Sequence, residues 1–316
     1  MTTDLLLGPN DDGRRADRII RKALPELPLS AIHRLFRAGK IRIEGKRLKP
    51  DSRLQEGQTI KIEKPPADVC PRGVGKRQDQ SCHDAQLPKP DILFQNCNFL
   101  VINKDEGVLV HGPQSLEEAV RALLADHITA SLSFRPGPLH RLDRGTSGII
   151  VFSASLEGAR SFSRALHEHQ LQKEYLALVD GSLEQELLLD APLERNREQR
   201  QTHISQDGKS ARTRVRPIAQ AQGTSLVSAC IEGGRTHQIR AHLASAGHPL
   251  VNDRKYAGST RREVNGGRFL LHAHRLAQEP GISLDLPLQL EAPLPPEFLQ
   301  IISSIFGPEV AHLVLY

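Results

Sequence analysis

Residues 140–152, HRLDRGTSGIIVF, restrict the possible folds of this chain more than any other stretch. The second half, GIIVF, is an unbroken apolar run. Such a run, bounded by turn residues, reads as a strand covered on both faces and so set inside a sheet. The first half is a corner, where Gly145 and Gly148 allow the backbone or a ligand to come close. Asp143 sits in that corner between Arg141 and Arg144. Taken alone, the stretch leaves two readings open. The carboxylate caps the turn by accepting the amide of Gly145 or Thr146, or it is presented to a site.

The neighbouring segments enlarge the sheet. ILFQNCNFLVINK reads as two strands joined by a turn at Gln95 to Asn98, and KEYLALVDG as another strand. SLEEAVRALLADHI is a helix with a capping box at Ser115 and Glu118. SLEGARSFSRALHEHQ is amphipathic, and HQIRAHLASAG is a helix ending at Gly247, with Arg240 inside it. Strands outnumber helices and turns are frequent. The expected class is therefore α+β, with a large mixed, mostly antiparallel sheet flanked by helices over residues 91–316.

Charge divides the chain unevenly. The whole sequence carries a formal +5, yet residues 14–64 hold fifteen Lys plus Arg against six Asp plus Glu, a net of +9 that leaves −4 elsewhere. This segment also reads as a compact α/β unit. RRADRIIRKAL puts Ala16, Ile19, Ile20, Ala23 and Leu24 on one helical face. SAIHRLFRAGK is a second helix, with Ser30 as N-cap and Gly39 as stop. Ile32, Leu35 and Phe36 point inward, which leaves His33, Arg34 and Arg37 on the outer face and Lys40 and Arg42 just past the end. An excess of one sign favours phosphate contact over simple solvation. Residues 1–13 are expected as a tail. Residues 65–90, rich in Pro, Gly, Gln and Asp without any period, read as a flexible linker.

Several classes are disfavoured. No apolar run approaches the roughly 20 residues needed to cross a bilayer, and the N-terminus lacks a secretory pattern, so a cytoplasmic protein away from membranes is expected. Cys70, Cys82, Cys97 and Cys230 are irregularly spaced with no C-x-x-C pair, so free thiols are expected rather than disulfides or a metal site. HRLD differs from the H-R-D of a kinase catalytic loop, and neither a phosphate loop nor D-F-G accompanies it. A two-carboxylate hydrolase needs a second acid beside the first, whereas the other motifs here are basic.

Those motifs are INKDEGVLVHG, with Lys104 and His111; QKEYLALVDG, with Tyr175; GGRTHQIRAHLASAGHPLVNDRKY, with Arg235, His237 and Arg240; and LHAHRLA, with His272 and His274. Together and in this order, they resemble the pseudouridine synthases of the RluA type over most of residues 91–290. The basic segment is similar to the small RNA-binding domain, or alpha-L motif, first known from a ribosomal small-subunit protein. That combination points to the subfamily acting on large-subunit ribosomal RNA. Three positions depart from the pattern: Asp105, Ser155 and Asn252. Asn252, where a glycine usually precedes Asp253, is the one that bears on the pocket floor.

The resemblance implies an isomerase that detaches uracil from ribose, turns it and rejoins it through carbon, without cofactor or metal. It implies Asp143 as nucleophile, Arg240 as its paired cation and Tyr175 as the ring that stacks on the flipped base, its hydroxyl assisting proton removal from C5. Arg141 is expected to fill the space the base leaves, and Leu250 and Val251 to close the apolar side of the pocket. In the basic domain it names Ser30, His33, Arg34, Arg37, Lys40 and Arg42 as RNA contacts. The expected partner is RNA and the expected state a monomer. The alternatives are the same reaction on transfer RNA, or a non-catalytic RNA-binding protein of ribosome assembly.

Overall fold

A computed structural model describes residues 2–63, 87–125, 131–132, 134–196, 198–259, 264–282 and 284–314. The linker expected at 65–90 lies almost entirely outside the described residues, as do Cys70 and Cys82; Cys97 and Cys230 are free thiols. The chain clusters into two compact units. One comprises Met1–Gln86 with Arg121–Pro136 and Ala154–Glu157; the other comprises Leu87–Val120, Gly137–Ser153 and Gly158–Tyr316.

The first unit contains β1 (Thr2–Leu6), α1 (Ala16–Ala23), α2 (Leu29–Arg37), β2 (Ile41–Ile43), β3 (Lys46–Arg47) and β4 (Thr59–Glu63). Its sheet runs β1-β4-β2-β3. Thr2–Leu6 are thus not a tail but an edge strand, antiparallel to β4. Apolar positions of both helices meet this sheet in one core that includes Ile19, Ile20, Ile32, Leu35, Phe36, Ile41, Ile60 and Ile62. Ser30 does not cap α2. The N-cap position is Pro28, without any side-chain cap, and Ser30 lies exposed inside the helix. Gly39 does mark the stop: its φ of +67° is a left-handed turn that favours glycine.

Along the rest of the chain, β5 (Asp91–Gln95), β6 (Phe99–Lys104), α3 (Leu116–Leu123), β7 (Gly137–Pro138), β8 (Ser147–Ser153), α4 (Leu156–His167) and β9 (Leu171–Asp180) come first. They are followed by β10 (Leu187–Asp190), β11 (Leu193–Asn196), β12 (Gln201–Ile204), β13 (Arg212–Ala221), β14 (Thr224–Glu232) and α5 (Gln238–Ser245), then β15 (Leu271–Gln278), β16 (Gln289–Glu291), α6 (Pro296–Phe306) and α7 (Pro308–Leu313). Ten strands form one sheet in the order β10-β13-β14-β9-β15-β8-β6-β5, with β16 on β15 and β7 on β8. All pairs are antiparallel except β15 with β8. The class is α+β with a large, mostly antiparallel sheet and flanking helices. All seven residues of β8 are buried, as its unbroken apolar run requires of a central strand. The capping box expected on α3 is not formed: the Ser115 hydroxyl is buried without a partner, and Glu118 accepts the amide of Gln114 instead.

Candidate active site

The corner before β8 is built by its neighbours. The backbone carbonyl of Asp143, not its carboxylate, accepts the Thr146 amide at 3.1 Å, which leaves the side chain free to point away from the turn. Arg144 is tied to a second turn, with Nε donating to the Gly107 carbonyl at 2.9 Å and its own carbonyl accepting the Gly107 amide at 2.8 Å. Beneath this tie lies Lys104, only 1% exposed, whose ammonium donates to the carbonyls of Asp105, Val108 and Arg144. The two arginines flanking Asp143 therefore differ: Arg144 braces the loop, while Arg141 is exposed at a cleft.

That cleft has a volume of about 420 Å³ and is lined by Asp143, Tyr175, His237 and Arg240 together with apolar Ile231, Ile239 and Leu271. Sheet register assembles it. β15 pairs Ala273 with Gly148 of β8 on one side and with Tyr175 of β9 on the other. Alternation along β9 then puts Lys173 and Tyr175 on the cleft face. α5, entering after β14, delivers Arg240.

Arg240 is 7% exposed, and its guanidinium is almost fully committed. Nε and Nη2 grip Asp253 at 2.7 and 2.9 Å, and Nη1 donates to Asp143 Oδ2 at 3.0 Å. The rings of Tyr256 and Phe269 lie 5.1 and 4.7 Å from Cζ. The fork expected to hold Asp143 holds Asp253 instead, and Asp143 receives the remaining nitrogen. Burial works to lower the Arg240 pKa, but the hydrogen bond and charge of Asp253, then those of Asp143, outweigh it and raise the value.

His237 brings Nε2 to 3.7 Å from the same Asp143 Oδ2. Its Nδ1 is 2.9 Å from the Tyr256 hydroxyl, which already accepts the Thr202 amide. Which of the two groups donates is set by the imidazole tautomer, and Nε2 is the ring nitrogen that faces Asp143. Burial holds the His237 pKa down at about 4, against an upward pull from Asp143, so the ring is neutral near pH 7. Arg240 donates to Oδ2, and the His237 ring stands near the same oxygen without a hydrogen bond to it. Tyr175 is 6% exposed, and burial followed by the Asp143 charge raises its pKa, so its hydroxyl stays a neutral phenol.

Other expected residues fall elsewhere. Leu250 and Val251 do not line the cleft. Both are 0% exposed: Leu250 bridges Val179, and Val251 packs with Leu176, Leu178 and Phe298. Ile231, Ile239 and Leu271 take the apolar role at the cleft. His272 is a buried sheet residue between Ser147 Oγ and the Ala292 carbonyl, and His274 faces that same carbonyl. His111 and Arg235 reach the cleft edge. In the first unit, Ser30, Arg34, Arg37 and Arg42 are exposed, and His33 and Lys40 half-buried. Sequence reasoning missed Asp253, Tyr256 and Phe269 as partners of Arg240. No spacing rule joins them to it, although Asp253 lies within a motif already singled out.

Residues 98–245 match a protein-family model described as RNA pseudouridylate synthase. The chain is 33% identical over 313 residues to the ribosomal large subunit pseudouridine synthase C of Pasteurella multocida, an alignment covering 95% of this chain and 93% of that protein. It is equally 33% identical to the protein of the same name from Escherichia coli strain K12, over 90% and 91% of the two chains. Among solved structures, human RNA pseudouridylate synthase domain containing 1 superposes with a TM-score of 0.55 at 24% identity, covering 69% of this chain and 88% of that one, a likeness of fold. The class is thus that of the RNA pseudouridylate synthases, isomerases that act on RNA. Within it, this chain belongs to the RluA-type pseudouridine synthase family.

Proposed function

We propose that the enzyme converts specific uridines of large-subunit ribosomal RNA to pseudouridine, with Asp143 as the nucleophile. The observation that carries this reading is the setting of the Asp143 carboxylate. It faces the cleft, accepts from Arg240 through Oδ2 with His237 Nε2 3.7 Å from that oxygen, and has its other oxygen, Oδ1, outside both contacts. A uridine stacked in folded RNA must be flipped out to reach such a group, at a cost of a few kcal/mol. The cleft offers the flipped base the ring of Tyr175 to stack on and apolar walls. The adjoining guanidinium gives the carboxylate a charge-assisted hydrogen bond. Arg141, exposed at the rim, is placed to contact phosphates or fill the vacated stack.

The choice of RNA rests on two supports: the large-subunit activity printed in the names of the bacterial relatives, and the exposed basic face of α2. In this reading Ser30, His33, Arg34, Arg37, Lys40 and Arg42 are phosphate contacts, and the enzyme works in the cytoplasm as a monomer.

The test is pseudouridine mapping across total RNA from cells lacking the protein, complemented with wild type or Asp143→Asn. Large-subunit positions restored by wild type alone are the expected result. Restoration confined to transfer RNA would move the substrate, and equal restoration by Asp143→Asn would remove the nucleophile.

A further inference from the structure

Lys173 has no part in the site as described so far, yet it lies on the cleft face of β9 two residues before Tyr175. It is 7% exposed, and among the described residues its ammonium donates to one group, the Gly233 carbonyl at 3.1 Å. No carboxylate among the described residues pairs with it. Burial lowers its pKa to about 8, so it is still mostly charged at neutral pH. An ammonium carries three donors. A buried one with a single neutral acceptor is under-satisfied, and the open side here is the substrate cleft.

We propose that Lys173 is a further catalytic residue, donating to a carbonyl oxygen of the flipped uracil and stabilising the negative charge the ring takes up when the glycosidic bond breaks. This inference rests on the isomerase reading of the cleft. When C1′–N1 breaks, its electron pair leaves with the base and spreads over N1 and the ring carbonyl oxygens. If the carboxylate instead adds first at C6, the pair displaced from the C5–C6 double bond reaches the O4 carbonyl, so both routes load charge onto a carbonyl oxygen. C5 then bonds to C1′, the Asp143 carboxylate is released from C1′ or C6 with the electron pair of its own C–O bond, the proton on C5 departs, N1 is protonated, and the product contains the same atoms as the substrate. A carboxylate for the sugar and an ammonium for the base would match the charges of the two fragments as they separate. Depth argues for the base rather than a phosphate. Arg141 and Arg235 stand exposed at the rim, whereas Lys173 is buried beside Tyr175 and opposite Ile231 in register.

The charged and titratable groups around the cleft are His111 before α3; His140, Arg141 and Asp143 before β8; Tyr175 on β9; and Arg235, His237 and Arg240 after β14. Burial holds His140 at about 3 and His237 at about 4, well below the range in which Lys173 titrates. Lys104 is also pushed to about 8 by burial, but its ammonium is turned onto backbone carbonyls.

The experiment uses the full-length enzyme and a large-subunit RNA fragment tritiated at uridine C5. Single-turnover tritium release is measured alongside RNA affinity for wild type, Lys173→Gln and Lys173→Arg. Gln keeps a donor for the Gly233 carbonyl but has no charge; Arg keeps the charge. Lys173→Gln is expected to slow release about 100-fold with RNA affinity within about threefold, and Lys173→Arg to recover at least about a tenth of the wild-type rate. The active form is the protonated one, so wild-type release falls as pH rises through about 8, while Lys173→Arg, always charged, shows no such fall. Wild-type release by Lys173→Gln, or a loss confined to RNA affinity, overturns the proposal. Absence of release from wild type overturns the isomerase reading on that RNA, and the proposal with it.

Discussion

At the scale of single residues, the guanidinium of Arg240 organises the site. Two of its nitrogens are fixed by Asp253, the rings of Tyr256 and Phe269 lie within about 5 Å of Cζ, and the third nitrogen donates to Asp143. Asp253 is 1% exposed and does not itself line the cleft, yet it sets the aim of Arg240, which does. Truncating one partner of a buried ion pair leaves the other charge uncompensated, at about 3–5 kcal/mol. Asp253→Ala should lower stability by about that amount in urea unfolding, and turnover should fall further than RNA affinity. Stability within about 0.5 kcal/mol of wild type would show that Arg240 finds another partner. Asn252, one position earlier, departs from the glycine of the family pattern. Its φ of +67° is the left-handed geometry that asparagine tolerates better than most residues, and its side-chain amide donates to the Val264 carbonyl at 2.9 Å. The substitution therefore preserves the turn.

At the scale of elements, the parallel contact of β15 with β8 brings the Asp143 corner beside Tyr175. Gly148 makes that contact possible. Its φ is +101°, and a Cβ there would fall 2.3 Å from the Ala273 carbonyl oxygen. Gly148→Ala therefore combines backbone strain with a clash against main chain, and should cost about 3 kcal/mol. A melting temperature unchanged from wild type would mean the two strands can separate without loss. α5 shows a different device. Its residues from Gln238 to Leu243 are all buried, so those turns show no amphipathic period, and only its last turn, at Ser245, is exposed. Its polar side chains are matched instead. Gln238 accepts the amides of Gly234 and Arg235 and donates to the Arg212 and Glu232 carbonyls, while His242 lies between Thr213 and the Ala191 carbonyl. Those bonds pin the segment that carries Arg235 and His237, a positioning role that residue type alone does not disclose.

At the scale of the whole molecule, charge is concentrated in one basic segment on a chain that is slightly acidic elsewhere. If Arg34, Arg37 and Arg42 neutralise phosphates, replacing all three with Gln should reduce the salt dependence of RNA binding by roughly two log units per log unit of salt, at 0.7 to 0.9 per contact. An unchanged slope would remove α2 from the interface. The one-dimensional pattern determined a good deal of this protein: the α+β class, the buried strand β8, the presence of two helices in the basic unit, and the motifs that carry Asp143, Tyr175 and Arg240. Each follows from short-range periodicity, turn chemistry or a contiguous motif, and these are properties of neighbouring residues. It misjudged Ser30 as a cap, Thr2–Leu6 as a tail, and Leu250 and Val251 as cleft walls. An edge strand needs a partner far along the chain, and an apolar side chain looks the same whether it faces a core or a ligand. The tertiary structure decided which carboxylate occupies the Arg240 fork, which arginine beside Asp143 is structural, and that Lys173 reaches the cleft with no paired carboxylate among the described residues. Those outcomes depend on sheet register and on distances between residues well separated in sequence, which local pattern does not encode.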